Sequence, residues 1–262
     1  MNDKIRLTLA NSLLMLILLI LPSRGAAQLS HPFETEKMIF KMVYLKFPAG
    51  TLIFQLHGLN EHNGAPCYLL DVRAETNAIF TPLFGIKNRY ESCFDTTTFL
   101  PYYLKKEIHQ KNIEQNWTIQ FDHERNVAQI GDSIRWDIPT SSLGFFSMVY
   151  FLRKQQFTEQ DTISFHLDSE NLPSRGSAYI IGRKRIPSSL GTMDALKIGL
   201  SFEPLARDAR PWKTDLLTNR LANPYAKISF WFSDDDLRLP LIIEFEQKHS
   251  KAKLILEEHS LN

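Results

Sequence analysis

The sequence predicts a mostly β protein: a single large antiparallel sheet curled into an open or half barrel, with one buried helix near residues 142–154 on its concave side. Three observations carry this expectation. Short runs alternate apolar and polar residues with period two, the run 140–154 is apolar on nearly every side, and no strand–helix–strand rhythm of a parallel sheet recurs. About eleven twisted strands in one sheet tend to curl or close, and a helix without a polar face must be covered by something.

Taken in order, Met38–Lys46 and Thr51–His57 read as two strands turned by Pro48-Ala49-Gly50, followed by a polar loop from Gly58 to Pro66. Cys67–Glu75 and Lys87–Asp95 read as a second pair. Between them Ala78-Ile79-Phe80 and Leu83-Phe84 suggest one apolar turn of helix. Leu100–His109, Glu114–Phe121 and Val127–Gly131 continue the pattern, with Trp117, Ile119 and Phe121 on one face of a half-buried strand. In the run 140–154, Ser141 and Ser142 can cap a helix on which Phe145, Met148, Val149 and Leu152 fall at helical spacing. A buried strand pair is the alternative, and the length of the run favours the helix.

Strands resume at Thr162–Leu167, Gly176–Arg185 and Met193–Glu203, and residues 204–224, rich in Pro, Arg and Asp, form a long irregular connection. Lys227–Glu246 then reads as a hairpin. Ile228, Phe230 and Phe232 alternate with Ser229, Trp231 and Ser233, three successive carboxylates (Asp234–Asp236) repel one another anywhere but at an exposed turn, and Pro240 opens the returning strand. Lys251–Glu258 ends the sheet.

The first 27 residues read as a cleaved secretory signal peptide: Lys4 and Arg6 precede an apolar core, Leu13–Leu21, and Gly25-Ala26-Ala27 offers a small-residue cleavage site. The alternative, an uncleaved anchor, has a shorter apolar stretch than the ~20 residues a spanning helix needs. The expectation is therefore a periplasmic protein with one domain over residues 28–262 and no transmembrane segment in the mature chain. The whole chain carries a formal net charge of +1, and removing three basic residues and one acid with the leader leaves −1. No charge excess recommends nucleic acid or an anionic membrane as partner.

Four stretches, in order, carry a resemblance to a known family: Phe94–Pro101 with Lys105-Lys106; Leu143–Arg153; Gly182–Ile186 with Leu190–Ala195; and Trp231, Asp234, Asp235, Arg238, Leu239, Pro240. Together these stretches resemble a family of exported bacterial proteins known as domain of unknown function thirty-one-zero-eight. The resemblance implies export and supplies no activity and no catalytic residues. At the level of outline the predicted fold is also similar to the periplasmic carriers of lipoproteins, an analogy that does not transfer function.

Standard catalytic motifs are missing, and neither cofactor nor catalytic residue is expected. His57 and His62 lie in a polar loop that explains them without a metal, and Asp234–Asp236 lacks the ligand alternation of a calcium loop. Asp95, Lys105, Lys106 and Arg153 fall on polar positions of the family pattern and read either as a paired network under the helix or as a binding site. Arg183 and Arg185 share a strand face and read as a contact for anionic lipid or glycan groups, or as charges protecting an edge strand. Phe146 and Tyr150 on the helix, with Trp231, Asp235 and Arg238 at the hairpin, complete the candidate pocket or polar network. Cys67 and Cys93 could form a disulfide in an oxidising compartment if their strands pair with Asp71 opposite Arg89; two separate thiols are the alternative. Three functions follow: a non-enzymatic binding or carrier module for an apolar or envelope-derived ligand such as a lipid or glycan, an assembly or scaffolding protein acting on an envelope partner, and, least favoured, an enzyme.

Overall fold

The computed structural model describes residues 33, 35–169, 172–205, 215, 217–218, 226–247 and 250–261. The segment read as a signal peptide, residues 1–27, and most of the 204–224 connection lie outside the described residues. From Phe33 onward the chain forms one unit.

Its first half lays down β1 (Glu36–Tyr44), β2 (Phe47–His62), β3 (Ala65–Thr76), the short helix α1 (Thr81–Phe84), β4 (Lys87–Asp95), β5 (Pro101–Gln110), β6 (Ile113–Asp122), β7 (Val127–Ile130) and β8 (Ile134–Asp137). The second half runs through β9 (Ser142–Leu143), α2 (Phe145–Lys154), β10 (Thr162–Asp168), β11 (Pro173–Ser188), β12 (Gly191–Pro204), β13 (Lys227–Ser233), β14 (Pro240–Gln247) and β15 (Ser250–Leu261). The fifteen strands of the described residues join one sheet, β8 to β1 and then β15 back to β9, so that β8 and β9 are its two edges. The pairs are antiparallel apart from β9 with β10, which makes the sheet mixed.

The two edges are consecutive in the chain, and this dictates the curl. Five Cα steps separate Asp137 from Ser142, at most about 19 Å of backbone. Laid flat, the fifteen strands at a spacing of about 4.8 Å would set the edges roughly 67 Å apart. The sheet must therefore bend round until its edges approach. The edges stop short of pairing; Trp136 Nε1 donates across the seam to Asp168 Oδ2 (3.1 Å), and His166 Nδ1 lies 2.8 Å from the Thr140 carbonyl oxygen. The helix α2 follows at once and occupies the concavity: Phe146 packs on Phe54 of β2 and Tyr90 of β4, Tyr150 on Phe94, and Phe151 on Phe165 of β10. Inward residues of the strands, such as Met38, Phe40, Leu52, Leu56, Leu70, Ile198, Phe230 and Leu256, complete the core.

Local readings are corrected in four places. Pro48-Ala49-Gly50 is a strand beginning, because the turn falls earlier, at Leu45 and Lys46, both with positive φ (48° and 77°), and a bulge opposite Met42 and Val43 makes Ala49 the extra residue between Pro48 and Gly50. Gly50 is required there by close approach, since a Cβ would lie 2.1 Å from the Glu75 carbonyl oxygen. The polar stretch 58–66 is a hairpin rather than a loop, turned by Asn63-Gly64 with φ of 52° and 83°, the residue pair that tolerates this geometry best. Helix α2 starts at Phe145, with Ser142 in β9; its N-terminus is closed by Ser147, whose hydroxyl accepts from the Gly144 N–H at 3.1 Å.

The fourth correction concerns β3 and β4. Asp71 stands opposite Glu91 and Arg73 opposite Arg89, so Cys67 faces Asp95 and Cys93 faces Leu69. The like-charge penalty is offset because Asp71 accepts from Arg73 on its own strand at 2.7 Å and from the diagonal Arg89 at 2.6 Å. Cys67 and Cys93, diagonal neighbours on the outer face, are joined by a disulfide with Cα atoms 5.7 Å apart.

Candidate functional site

Beneath the helix lies a buried ion cluster. Arg153, on the last turn of α2, makes a two-pronged pair with Glu36 at the start of β1 (2.6 and 2.7 Å) and donates to the Leu237 carbonyl oxygen. His259 of β15 reaches the same carboxylate at 3.0 Å, and the Phe33 ring lies 4.7 Å from the guanidinium carbon. Burial alone would raise the Glu36 pKa, but hydrogen bonds from His259 and Arg153 outweigh it and hold the group at about 2. Tyr150 is fully buried beside them, and its phenol is pushed up by burial and by the Glu36 charge. A second buried pair joins Lys106, on the inner face of β5, to Asp215 at 2.6 Å. With each charge neutralised and held, both clusters read as interior bracing, and their geometry offers no nucleophile and base aimed at a common point.

The other candidates lie apart from this cluster. Asp95 closes its own turn, accepting from the Thr97 and Thr98 amides and from the Tyr102 hydroxyl; burial opposes ionisation of this carboxylate, and these donors more than offset it. Lys105 pairs with Glu107 on the outer face. Asp235 organises the β13–β14 turn by accepting from Ser233, Leu237 and Arg238, and Arg238 reaches Asp234. Arg183 is exposed and bonds Glu159 and Asp234, while Arg185 is exposed nearby on the same strand. Trp231 is half-buried on the outer face, donating to Glu244 beneath the Lys197 ammonium. The proposed network of Asp95, Lys105, Lys106 and Arg153 is thus dispersed over four separate settings.

Several concavities are lined by described residues; one of about 660 Å³ crosses the outer face of β11 to β15, and two others have chiefly apolar floors. An open groove of about 700 Å³ follows the seam between the sheet edges, with Leu100, Leu143, Phe151 and Phe165 on its floor and His166 and Arg175 at its rim. A smaller cavity of about 170 Å³ opens elsewhere, where β1, β2, β14 and β15 meet α1. Its walls are Met42, Val43, Ala49, Ile86, Phe245 and Leu254, with Tyr44 and Phe84 at a half-buried rim. Phe146 and Tyr150 line neither space. Among the described residues no cluster of three His, Cys, Asp or Glu could hold a metal ion, and no helix is long and apolar enough to cross a membrane.

Sequence reasoning missed Glu36, His259 and Asp215, and it missed the cavity. One signal was available: Leu104, Lys106 and Ile108 share a strand face, and an inward lysine between two apolar residues requires a buried acid. The identity of that acid, Asp215, lay in the irregular connection, beyond the reach of periodicity.

The family model described as "Protein of unknown function (DUF3108)" matches residues 39–257. The fold is similar to that of a β-barrel-like protein of domain of unknown function DUF1849 from Brucella abortus, with a TM-score of 0.58 and 8% identity over 87% of this chain and 98% of that one. Weaker likenesses are a candidate lipoprotein from Parabacteroides distasonis (TM-score 0.35, 10% identity, 87% and 96% coverage) and a candidate exported protein with a YmcC-like fold from Bacteroides fragilis (0.36, 9%, 87% and 96%). No curated protein matches the sequence.

Proposed function

The chain belongs to the DUF3108 family of proteins of unknown function, and we propose that it is an exported, periplasmic, non-enzymatic binding module that takes the apolar end of an envelope amphiphile, such as a lipid. The observation behind this reading is the cavity at Tyr44 and Phe84. Its walls are mostly hydrocarbon, with Thr76, Gln247 and Lys253 as the polar members, and its rim is half-exposed. An unfilled apolar space of this kind forgoes dispersion contacts that a hydrocarbon guest would restore.

Size limits the guest. Cavities of about 150 Å³ take a benzene-sized group, so the 170 Å³ here suits a ring or the terminal few methylenes of a chain, with the remainder outside. The test is calorimetric titration with decanoate. Wild type is expected to bind, and Ala252→Phe, which places a ring into the cavity from β15, is expected to weaken binding at least about tenfold, the loss of one to two buried methylenes, with the fold retained. Equal affinity of the two proteins would remove the reading. A scaffolding role through protein contacts is the second reading, favoured by Tyr179 and Ile181, which stand 41% and 53% exposed on the outer face of β11.

A further inference from the structure

Around the mouth of this cavity the surface is unusual. Leu45, Phe47, Ile79 and Leu83 are 47%, 65%, 78% and 66% exposed. Leu45 and Phe47 belong to the β1–β2 turn, Ile79 and Leu83 to the segment around α1, and the two are fastened together: Asn77 donates its amide N–H to the Ala49 carbonyl and its side-chain Nδ2 to the Pro48 carbonyl. Beneath them Tyr44 packs edge-on against Phe80 and Phe84, with centroids 6.3 and 5.5 Å away. Four large apolar side chains therefore protrude from two turn tips on a stiff aromatic base.

The turn itself is costly for the residues it carries. Leu45 and Lys46 both adopt positive φ, where Asn-Gly is the favoured pair. A backbone cost accepted at an exposed tip is a reason to look for a contact there. Within the two tip segments the charge is basic, while Glu114 stands exposed beside the turn that carries Lys111 and Glu246 is paired with Lys251 beside Leu45. Neither 44–49 nor 76–86 contains an Asp or Glu, Lys46 sits between Leu45 and Phe47, and Lys111 leans over α1 to donate to the Pro82 carbonyl at 2.9 Å. The acid next in register, Glu75, stands opposite Lys87.

We propose that the 45–47 turn and the 79–84 segment form a docking surface for an anionic lipid bilayer, with the apolar tips entering the interface and Lys46 and Lys111 meeting headgroup phosphates. Tips that protrude singly suit the soft headgroup boundary, and apolar insertion combined with basic residues is the chemistry of interfacial binding. A protein partner would meet a flatter patch and would need acids of its own placed opposite both lysines. The near-neutral charge of the whole chain conceals this local asymmetry. The inference rests on the proposed cavity function in one respect only: Tyr44 and Phe84 underlie the docking surface and rim the cavity, so a chain end could pass between membrane and protein.

The test is co-sedimentation with mixed phosphatidylglycerol–phosphatidylcholine vesicles and with phosphatidylcholine alone. Wild type is expected to bind the anionic vesicles, more weakly as salt rises. The double variant Phe47→Ser/Leu83→Ser, which alters only exposed side chains, is expected to lose at least about tenfold in partitioning. Lys46→Glu/Lys111→Glu is expected to abolish the preference for anionic over neutral vesicles. Wild type that fails to sediment, or a double serine variant that binds like wild type, would overturn the proposal, and self-association of wild type in place of vesicle binding would assign the surface to a second copy. Ala252→Phe separates the two readings: it should still sediment with vesicles while losing decanoate, and vesicle binding by a wild type that ignores decanoate would refute the cavity function alone.

Discussion

Arg153→Ala is expected to destabilise the protein by about 3 to 5 kcal/mol, because it leaves the Glu36 carboxylate buried without its two-pronged partner. The change also removes the donor to the Leu237 carbonyl and the cation under Phe33, unfastening the end of the helix from β1 and from the β13–β14 turn at once. Urea unfolding at neutral pH measures it. Replacing both partners, Glu36→Leu with Arg153→Met, should recover most of the loss, since two well-packed apolar groups bear no desolvation penalty. The same cluster sets an acid limit. Glu36 is held at about 2, below the ordinary carboxyl value of 4.5, so its contribution is fully present above about pH 4.5 and is lost as pH falls through about 2. That contribution is on the order of 3 kcal/mol. The apolar double variant should lack this dependence; a double variant as acid-sensitive as wild type in that window would place the sensitivity elsewhere.

Phe146→Ala is expected to cost about 3 to 5 kcal/mol with no effect on decanoate affinity. Its ring, 2% exposed, is wedged between Phe54, Tyr90 and Phe145 at centroid distances of 5.9, 4.9 and 5.3 Å. Truncation there opens a void in the concavity that the curled sheet cannot collapse to fill. Because Phe146 lines neither concavity, stability and binding should separate. A folded variant with altered affinity would show that the helix face is itself the binding site.

The sequence revealed the fold through period-two alternation and through a run too apolar to lie on a surface, and both are local signals. The curl was expected, but how nearly the two edges would meet was less legible, because it follows from β8 and β9 being consecutive in the chain, a relation visible only once strand order is known. Register failed for a related reason. Opposite-residue charge logic treated Asp71 and Arg89 as needing direct opposition, whereas a carboxylate reaches a diagonal guanidinium just as well. Proline and glycine misled at 48–50, where they mark a bulge and a close strand approach, while the actual turn carries Leu45 and Lys46 against propensity. The hairpin at 227–246 was legible in detail because turn chemistry and alternation agree there: Pro240 does open β14, and Asp235 does order the turn.

The most direct test of the central claim is to locate a guest. Crystals of the protein grown with 10-bromodecanoate and measured at the bromine edge should show one anomalous peak between Met42, Phe84 and Phe245, inside the cavity. A peak confined to the seam groove at Phe151, or no ordered bromine at a concentration where titration shows binding, would contradict it.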